Sequence, residues 1–231
     1  MKNHGRIAEL WIARGKDSAR ARELIGIAHR KGISVCFKEK SYLDEIMPNM
    51  AHQGMAALTD SFHYTNLEDL IRASLDDKNN SLLLAADHIT DEGNLGAVIR
   101  TAAFFGAHGL LIPKDRSALV TESVIKRSSG SHVHLPISIV VNMVASLERL
   151  SKAGLWIIGA SGESSETIYR FDWTRDTVLV IGSENRGLSR SVRKLCHQLV
   201  SIPGTGRIES LNVSVACGII LAEISRQRKS L

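Results

Sequence analysis

From Ser81 to the C-terminal helix, short unbroken apolar runs alternate with segments of helical periodicity. No other feature constrains the fold as strongly. The runs LLLAAD (82–87), GLLIP (109–113), LPISI (135–139), LWIIGA (155–160), VLVIG (178–182) and LVSIP (199–203) read as strands. Helical stretches lie between them at 94–106, 121–127, 142–154 and 189–196, and the chain closes on a small and apolar helix, 211–228. Gly154 reads as the stop of its helix. Strands with no polar face are buried on both sides, and strand–helix alternation supplies the covering layers. The expected fold is therefore α/β, with a mostly parallel sheet.

Ahead of this region the pattern is different. IAELWIA (7–13), ISVCF (33–37) and GMAAL (54–58) read as short strands, with helices at 18–30 and at SYLDEIM, the latter ended by Pro48. Residues 1–60 are thus expected to form a small α/β domain, 61–80 a linker containing a connecting helix, and 81–231 the main domain.

Charge separates the same two regions. The net charge is +5, yet the first 40 residues hold ten basic and four acidic side chains, a balance of +6 that leaves −1 for the other 191. A basic end on a near-neutral body suggests a polyanionic partner, although a solvated basic face has the same composition. The three cysteines, Cys36, Cys196 and Cys217, form no CxxC pair. They suit a reducing compartment better than a disulfide framework. No apolar run approaches the roughly 18 residues of a membrane span, and the opening MKNHGRIAELWIARGK lacks an apolar leader. The expectation is a cytoplasmic protein with no membrane association.

Several chemistries lack their signatures. There is no GxxxxGK[ST], HExxH or GxSxG. Gly204-Thr205-Gly206 follows a proline near the C-terminus, the wrong place for a dinucleotide fingerprint. His132 and His134 alternate ahead of a predicted strand, which would put them on one face. With no third ligand evident, no metal site is expected.

Three segments do not read as packing. In Asp87–Arg100 a strand runs into a polar loop and then a helix. Asn94 there reads equally as a helix cap, and Arg100 is a lone cation among Val98, Ile99, Thr101 and Ala102. Such an arginine needs an anionic or hydrogen-bonding partner, or else a buried ion pair with a carboxylate. In Ile181–Leu188 an apolar strand delivers Glu184 at its carboxyl end, where parallel sheets bind ligands, though a plain surface turn has the same pattern. In Ser201–Ala216 a glycine loop leads to Ser210 and Asn212 at a helix N-terminus. Glycines let a ligand approach the backbone and helix amides favour an acceptor, while Ser210 also serves as a simple cap.

In order and spacing, NLGAVIRTA, IGSENRGLS and IPGTGRIESLNVSVA resemble the three motifs of the SpoU (TrmH) RNA ribose 2′-O-methyltransferases of the SPOUT superfamily. The resemblance covers residues 81–231, including KRSSGSHVHLPI, and extends more weakly into 1–60. There IAELWIARGK and HQGMAAL look like the ribosomal-protein-like RNA-binding domain of the ribosomal-RNA branch. Two departures stand out. Asp91-Glu92 replaces the usual Asp-Pro, and the usual helix before the first strand is missing, which suggests a late start or a trimmed substrate domain.

The resemblance implies a C-terminal trefoil knot, an exception to unknotted topology, and a homodimer formed through the knotted domain. It implies S-adenosyl-L-methionine as cofactor, lined by Gly182, Ile202 and Leu211. Arg100 matches the catalytic arginine, and Asn94, Glu184, Ser210 and Asn212 match other active-site positions. The implied reaction is methyl transfer to a ribose 2′-hydroxyl of RNA, most often a guanosine of large-subunit ribosomal RNA. A transfer-RNA guanosine and a non-catalytic ribosome-assembly protein on the same fold are the alternatives. Arginine is an unusual base, since its pKa exceeds about 12, so orienting a phosphate and polarising the hydroxyl is the other role open to Arg100.

Overall fold

The computed structural model describes residues 7–48, 51–76, 80–184 and 186–229. Lys2 and Arg6 of the basic opening, part of the polar stop after residue 76, and Asn185 of the second motif lie outside them. The chain divides between His63 and Tyr64 into two compact units.

The first unit contains β1 (Ile7–Ala13), α1 (Ala19–Arg30), β2 (Ser34–Lys38), α2 (Lys40–Ile46) and β3 (Met55–Thr59). Ser18 starts α1 by accepting the Ala21 amide at 3.1 Å. The sheet runs β2-β1-β3, with β2 parallel and β3 antiparallel to β1. One face buries Leu10 and Ile12 with Ala28 of α1. Trp11 pairs in register with Cys36, and the Lys38 ammonium lies 5.3 Å from the Trp11 ring and 5.4 Å from Tyr42.

The second unit begins earlier than the sequence suggested. The stretch expected as a linker holds α3 (Leu67–Leu75), capped by Asn66, and Leu67 and Leu70 are buried in the same core as the sheet. The rest is β4 (Leu82–Asp87), α4 (Glu92–Phe104), β5 (Gly109–Pro113), α5 (Glu122–Arg127), β6 (Ile137–Val140), α6 (Met143–Lys152), β7 (Trp156–Ala160), β8 (Thr177–Gly182), α7 (Arg190–Leu195), β9 (Gln198–Val200) and α8 (Val213–Lys229). The strand order is β6-β5-β4-β8-β7-β9, and every pairing in it is parallel. All of β4 and β5 is buried, as unbroken apolar runs require. Leu83, Ala85, Val178 and Val180 face Leu147 and Leu150 of α6. On the other side α4 packs on α8.

Most differences from the expected elements concern ends, and each has a local cause. β6 starts after Pro136, which has no amide hydrogen to donate. β9 stops at Val200 because Ser201 pairs instead with Thr167, its amide donating to Glu166 O at 2.8 Å. Gly154 follows the end of α6 with φ +101°, a conformation that suits glycine. The expected strand-like alternation of His132 and His134 is overturned. Ser131–Val133 is a 3-10 turn, and burial lowers the pKa of His132, with the charge of His134 adding to the effect.

Candidate active site

The order β4-β8-β7-β9 sets the carboxyl ends of four strands side by side, and the three singled-out segments begin there. β4 ends on Asp87, fully buried, whose carboxylate accepts the Ser189 amide and the His88 ring, both at 2.6 Å. Asp91, not Asn94, caps α4: its Oδ1 accepts the Asn94 amide at 2.7 Å. Asn94 therefore sits in the first turn with its side chain free for another partner. The Asp91-x-x-Asn94 spacing carried that signal.

β8 ends in a turn closed by two backbone bonds, Ser183 N to Gly187 O (3.1 Å) and Gly187 N to Ser183 O (2.8 Å). Glycine is required at its root, since a Cβ on Gly182 would lie 2.2 Å from the Gly187 carbonyl carbon. The turn presents Glu184. After β9 the chain crosses an irregular loop and enters α8 at Asn212. Here the cap also differs from the expected Ser210. Asn212 Oδ1 accepts Ser214 N at 2.9 Å and Ser214 Oγ at 2.6 Å, and Asn212 O accepts Ala216 N. The backbone donor fixes the orientation of the amide and leaves Nδ2 to donate elsewhere.

These three ends meet. Glu184 Oε1 accepts from Asn94 Nδ2 at 2.7 Å and from Asn212 Nδ2 at 2.6 Å, and Asn212 Nδ2 also reaches Asn94 Oδ1 at 3.0 Å. A closed ring of hydrogen bonds thus joins residues up to 118 positions apart. A fourth segment approaches the loop before α8, because a Cβ on Gly162, just after β7, would lie 3.8 Å from Glu209 O. Gly182, Ile202 and Leu211 lie at the ends of β8, β9 and the loop before α8, with Ile202 half-buried and Leu211 exposed.

Ser210 stays outside the ring, exposed in its loop. Arg100 also stays outside it, six residues and about 9 Å further along α4. The buried ion pair is not found. Arg100 is exposed, donates to Ser129 Oγ at 3.1 Å and has no carboxylate partner among the described residues. It lines a cleft of about 350 Å³ with Ser131, His134 and Phe104. The half-buried Cys196 and the buried Cys217 offer no nucleophile, since desolvation pushes Cys196 up to about 11 and Cys217 up to about 12.

Residues 81–222 match the model of the SpoU rRNA Methylase family. The chain belongs to the SpoU methylase family. Its residues 1–65 match the RNA 2′-O ribose methyltransferase substrate-binding model as well. This SpoU-family chain is 41% identical over 222 residues to an uncharacterized tRNA/rRNA methyltransferase of Mycolicibacterium vanbaalenii, covering 96% of this chain and 71% of that protein. It is 33% identical over 228 residues to a Bacillus subtilis protein named as a TrmH-family tRNA/rRNA methyltransferase, covering 99% and 91%. Among solved structures, the SpoU methyltransferase AviRb of Streptomyces viridochromogenes, in complex with AdoMet, aligns with a TM-score of 0.81 at 29% identity, over 99% of this chain and 86% of that one.

The basic end of α8 has a structural use. Arg226 forms a two-point pair with Glu223, 2.8 Å on each arm, which lowers the Glu223 pKa. Arg228 Nε donates to Trp173 O and its Nη2 to Arg175 O, each at 2.9 Å. Among the described residues, no helix is long and apolar enough to cross a membrane.

Proposed function

We propose that the chain transfers the methyl group of S-adenosyl-L-methionine to a ribose 2′-hydroxyl of RNA, at a guanosine of large-subunit ribosomal RNA. The Asn94–Glu184–Asn212 ring carries this reading, because it ties the three motif loops together over the sheet's carboxyl edge. A binding protein that merely kept the fold has no need of such a lock.

The cradle suits the cofactor. Gly182 and Ile202 offer backbone groups at two strand ends and Leu211 in the loop before α8, and the half-exposed Leu211 and the glycine-containing loop leave room for an apolar and aromatic guest. When bound, S-adenosylmethionine supplies an already activated methyl, so the protein's own task is alignment and handling of the hydroxyl proton. The ring holds the loops in register. Arg100 has donors beyond its single serine contact. A guanidinium has no acceptor, so its part is to stabilise the negative charge that develops on the ribose oxygen while the proton passes to solvent, and to orient the neighbouring phosphate. Ser210, exposed beside the cradle, contacts the substrate.

The same reading includes a trefoil knot through the β8 and β9 loops and a homodimer. Phe104 (81% exposed), Val215 (49%) and Leu211 (47%), from α4, α8 and the loop before it, are apolar surface that a second copy would cover. The first unit supplies RNA affinity, and the unpaired cysteines suit the cytoplasm.

Two measurements test this. Calorimetry with S-adenosylhomocysteine should show one saturable site per chain, and no heat at millimolar ligand would end the cofactor reading. Ribose-methylation mapping of ribosomal and transfer RNA from a strain lacking the gene should show one lost mark in large-subunit RNA. A mark lost only from transfer RNA would overturn the ribosomal assignment.

A further inference from the structure

A second cleft, about 620 Å³ in volume, is lined by Ser183, Arg186 and Gly187 of the turn whose Glu184 belongs to the hydrogen-bonded ring. It lies at the carboxyl ends of β4, β5, β6 and β8. His88, Arg116, Asn142, Ser183, Arg186 and Ser189 are among its lining residues. Its size is that of a small-molecule or nucleotide site, roughly 300–1,000 Å³.

Three observations point to its occupant. First, Arg116 and Arg186 line it without an ion-pair or hydrogen-bond partner among the described residues, against one such carboxylate, the exposed Asp115, since Asp87 already has both carboxylate oxygens engaged. The uncommitted charge is therefore mainly cationic. Second, His88 (φ +61°) and Arg116 (φ +54°) hold left-handed backbones. They are two of the four non-glycine residues that do so among those described, and both line this cleft. Strain of this kind persists where the surrounding structure enforces it and gathers at functional sites. Third, an apolar and a polar surface adjoin. Val141 on the wall is 82% exposed, and Asn142, whose Oδ1 is fixed by the Ala145 amide at 3.1 Å, keeps its Nδ2 as a donor. Guanidinium groups for a phosphate, a bare apolar surface for a base and an amide for a base edge match one nucleotide of single-stranded RNA.

Position selects RNA over a free nucleotide. The turn that offers Glu184 to the ring offers Ser183, Arg186 and Gly187 to this cleft, so one short segment walls both. We propose that the cleft is an RNA subsite that holds an unpaired nucleotide neighbouring the methylated one, with Arg116 and Arg186 on its phosphodiester. This rests on the RNA methyltransferase reading above.

The test uses the full chain and hypomethylated ribosomal and transfer RNA from a strain lacking the gene. Arg116→Gly removes the guanidinium and suits the left-handed backbone, so the variant keeps its fold. It should weaken RNA binding at least ~10-fold, raise KM more than it lowers kcat, and reduce the salt slope of binding by about 0.7, the share of one single-strand phosphate contact. Arg116→Lys should restore the slope. Affinity for S-adenosylhomocysteine should not change. Wild-type RNA affinity and salt slope in Arg116→Gly would overturn the subsite, as would a loss that falls equally on S-adenosylhomocysteine. Methyl incorporation by the wild-type protein in the same assay separates the two ideas. If it is absent, the enzymatic reading fails. If it is present beside an unaffected variant, the subsite alone fails.

Discussion

The two units solve the problem of presenting polar groups in opposite ways. In residues 7–63 a three-stranded sheet buries one face over a small core, with Leu10, Ile12 and Ala28 clustered and Ala13, Ala21 and Leu43 also buried. Much of what remains is surface, including Phe37 at 54% and Tyr42 at 41% exposure. In residues 64–229 a six-stranded sheet is buried on both faces, and at its strand ends loops from distant parts of the chain are tied together. The small unit is a display surface whose residues act singly. The large one is a frame whose residues act through position. Substitutions in the large unit should therefore be severe and local, and changes to the small unit graded and sensitive to salt.

Arg100 gives that contrast its sharpest test. It is exposed on α4 with one serine contact, so the fold asks little of it. Arg100→Ala and Arg100→Lys should both lower single-turnover methyl transfer at least ~10²-fold, since lysine lacks the planar fork. Melting temperature and cofactor affinity should remain near wild type. A folded Arg100→Ala protein with normal turnover would remove this residue from the reaction and weaken the view that the large unit holds the chemistry.

Arg228 tests the frame itself. Its guanidinium donates to the carbonyls of Trp173, Arg175 and Ser81 at 2.9, 2.9 and 3.1 Å, pinning α8 to the approaches of β4 and β8. Burial lowers its pKa, and the Asp176 charge opposes that shift. Arg228→Ala should cost about 2 kcal/mol, the scale of charge-assisted hydrogen bonds lost from a partly buried site. The melting temperature should fall by roughly 4–8 °C. If this basic residue served RNA instead, stability would hold and the salt dependence of RNA binding would change.

Much of the frame was legible because it is written in local pattern. Unbroken apolar runs located the buried strands of the large sheet, and helix stops such as Gly154 fell where glycine is needed. What escaped depends on partners far away in sequence. The caps at Asp91 and Asn212 displaced the readings of Asn94 and Ser210 as caps, because the Glu184 ring leaves Asn94 a better partner than its own helix end. The helix expected in the linker, α3, is not marked as part of the domain by its sequence, because its short amphipathic run shows no sign of the sheet that buries Leu67 and Leu70. The Asp115-Arg116 segment after β5 belongs to no motif. A left-handed arginine has no signature in composition or periodicity, and only the tertiary fold brings it to one cleft with Arg186.

The smallest expected effect comes from the small unit. A chain trimmed to residues 64–231 keeps α3 and its two core leucines, whereas a cut at Ser81 would strip them from the sheet. The trimmed chain should bind S-adenosylhomocysteine as the whole protein does, since the Glu184 ring and the loops after β7, β8 and β9 are all retained. Its RNA affinity should fall about tenfold at moderate salt, and the dependence on salt should become shallower because fewer counterions are released. The expected loss is modest because cations on a display surface contribute individually, and some are already engaged. Arg14 pairs with Glu39 at 3.0 Å and Arg20 with Glu23 at 2.9 Å. Exposed pairs like these are weak, on the order of 1 kcal/mol or less, and they open readily to a phosphate. Equal affinity and equal salt slope for the two chains would place RNA recognition wholly on the large unit and erase the division of labour proposed for the two.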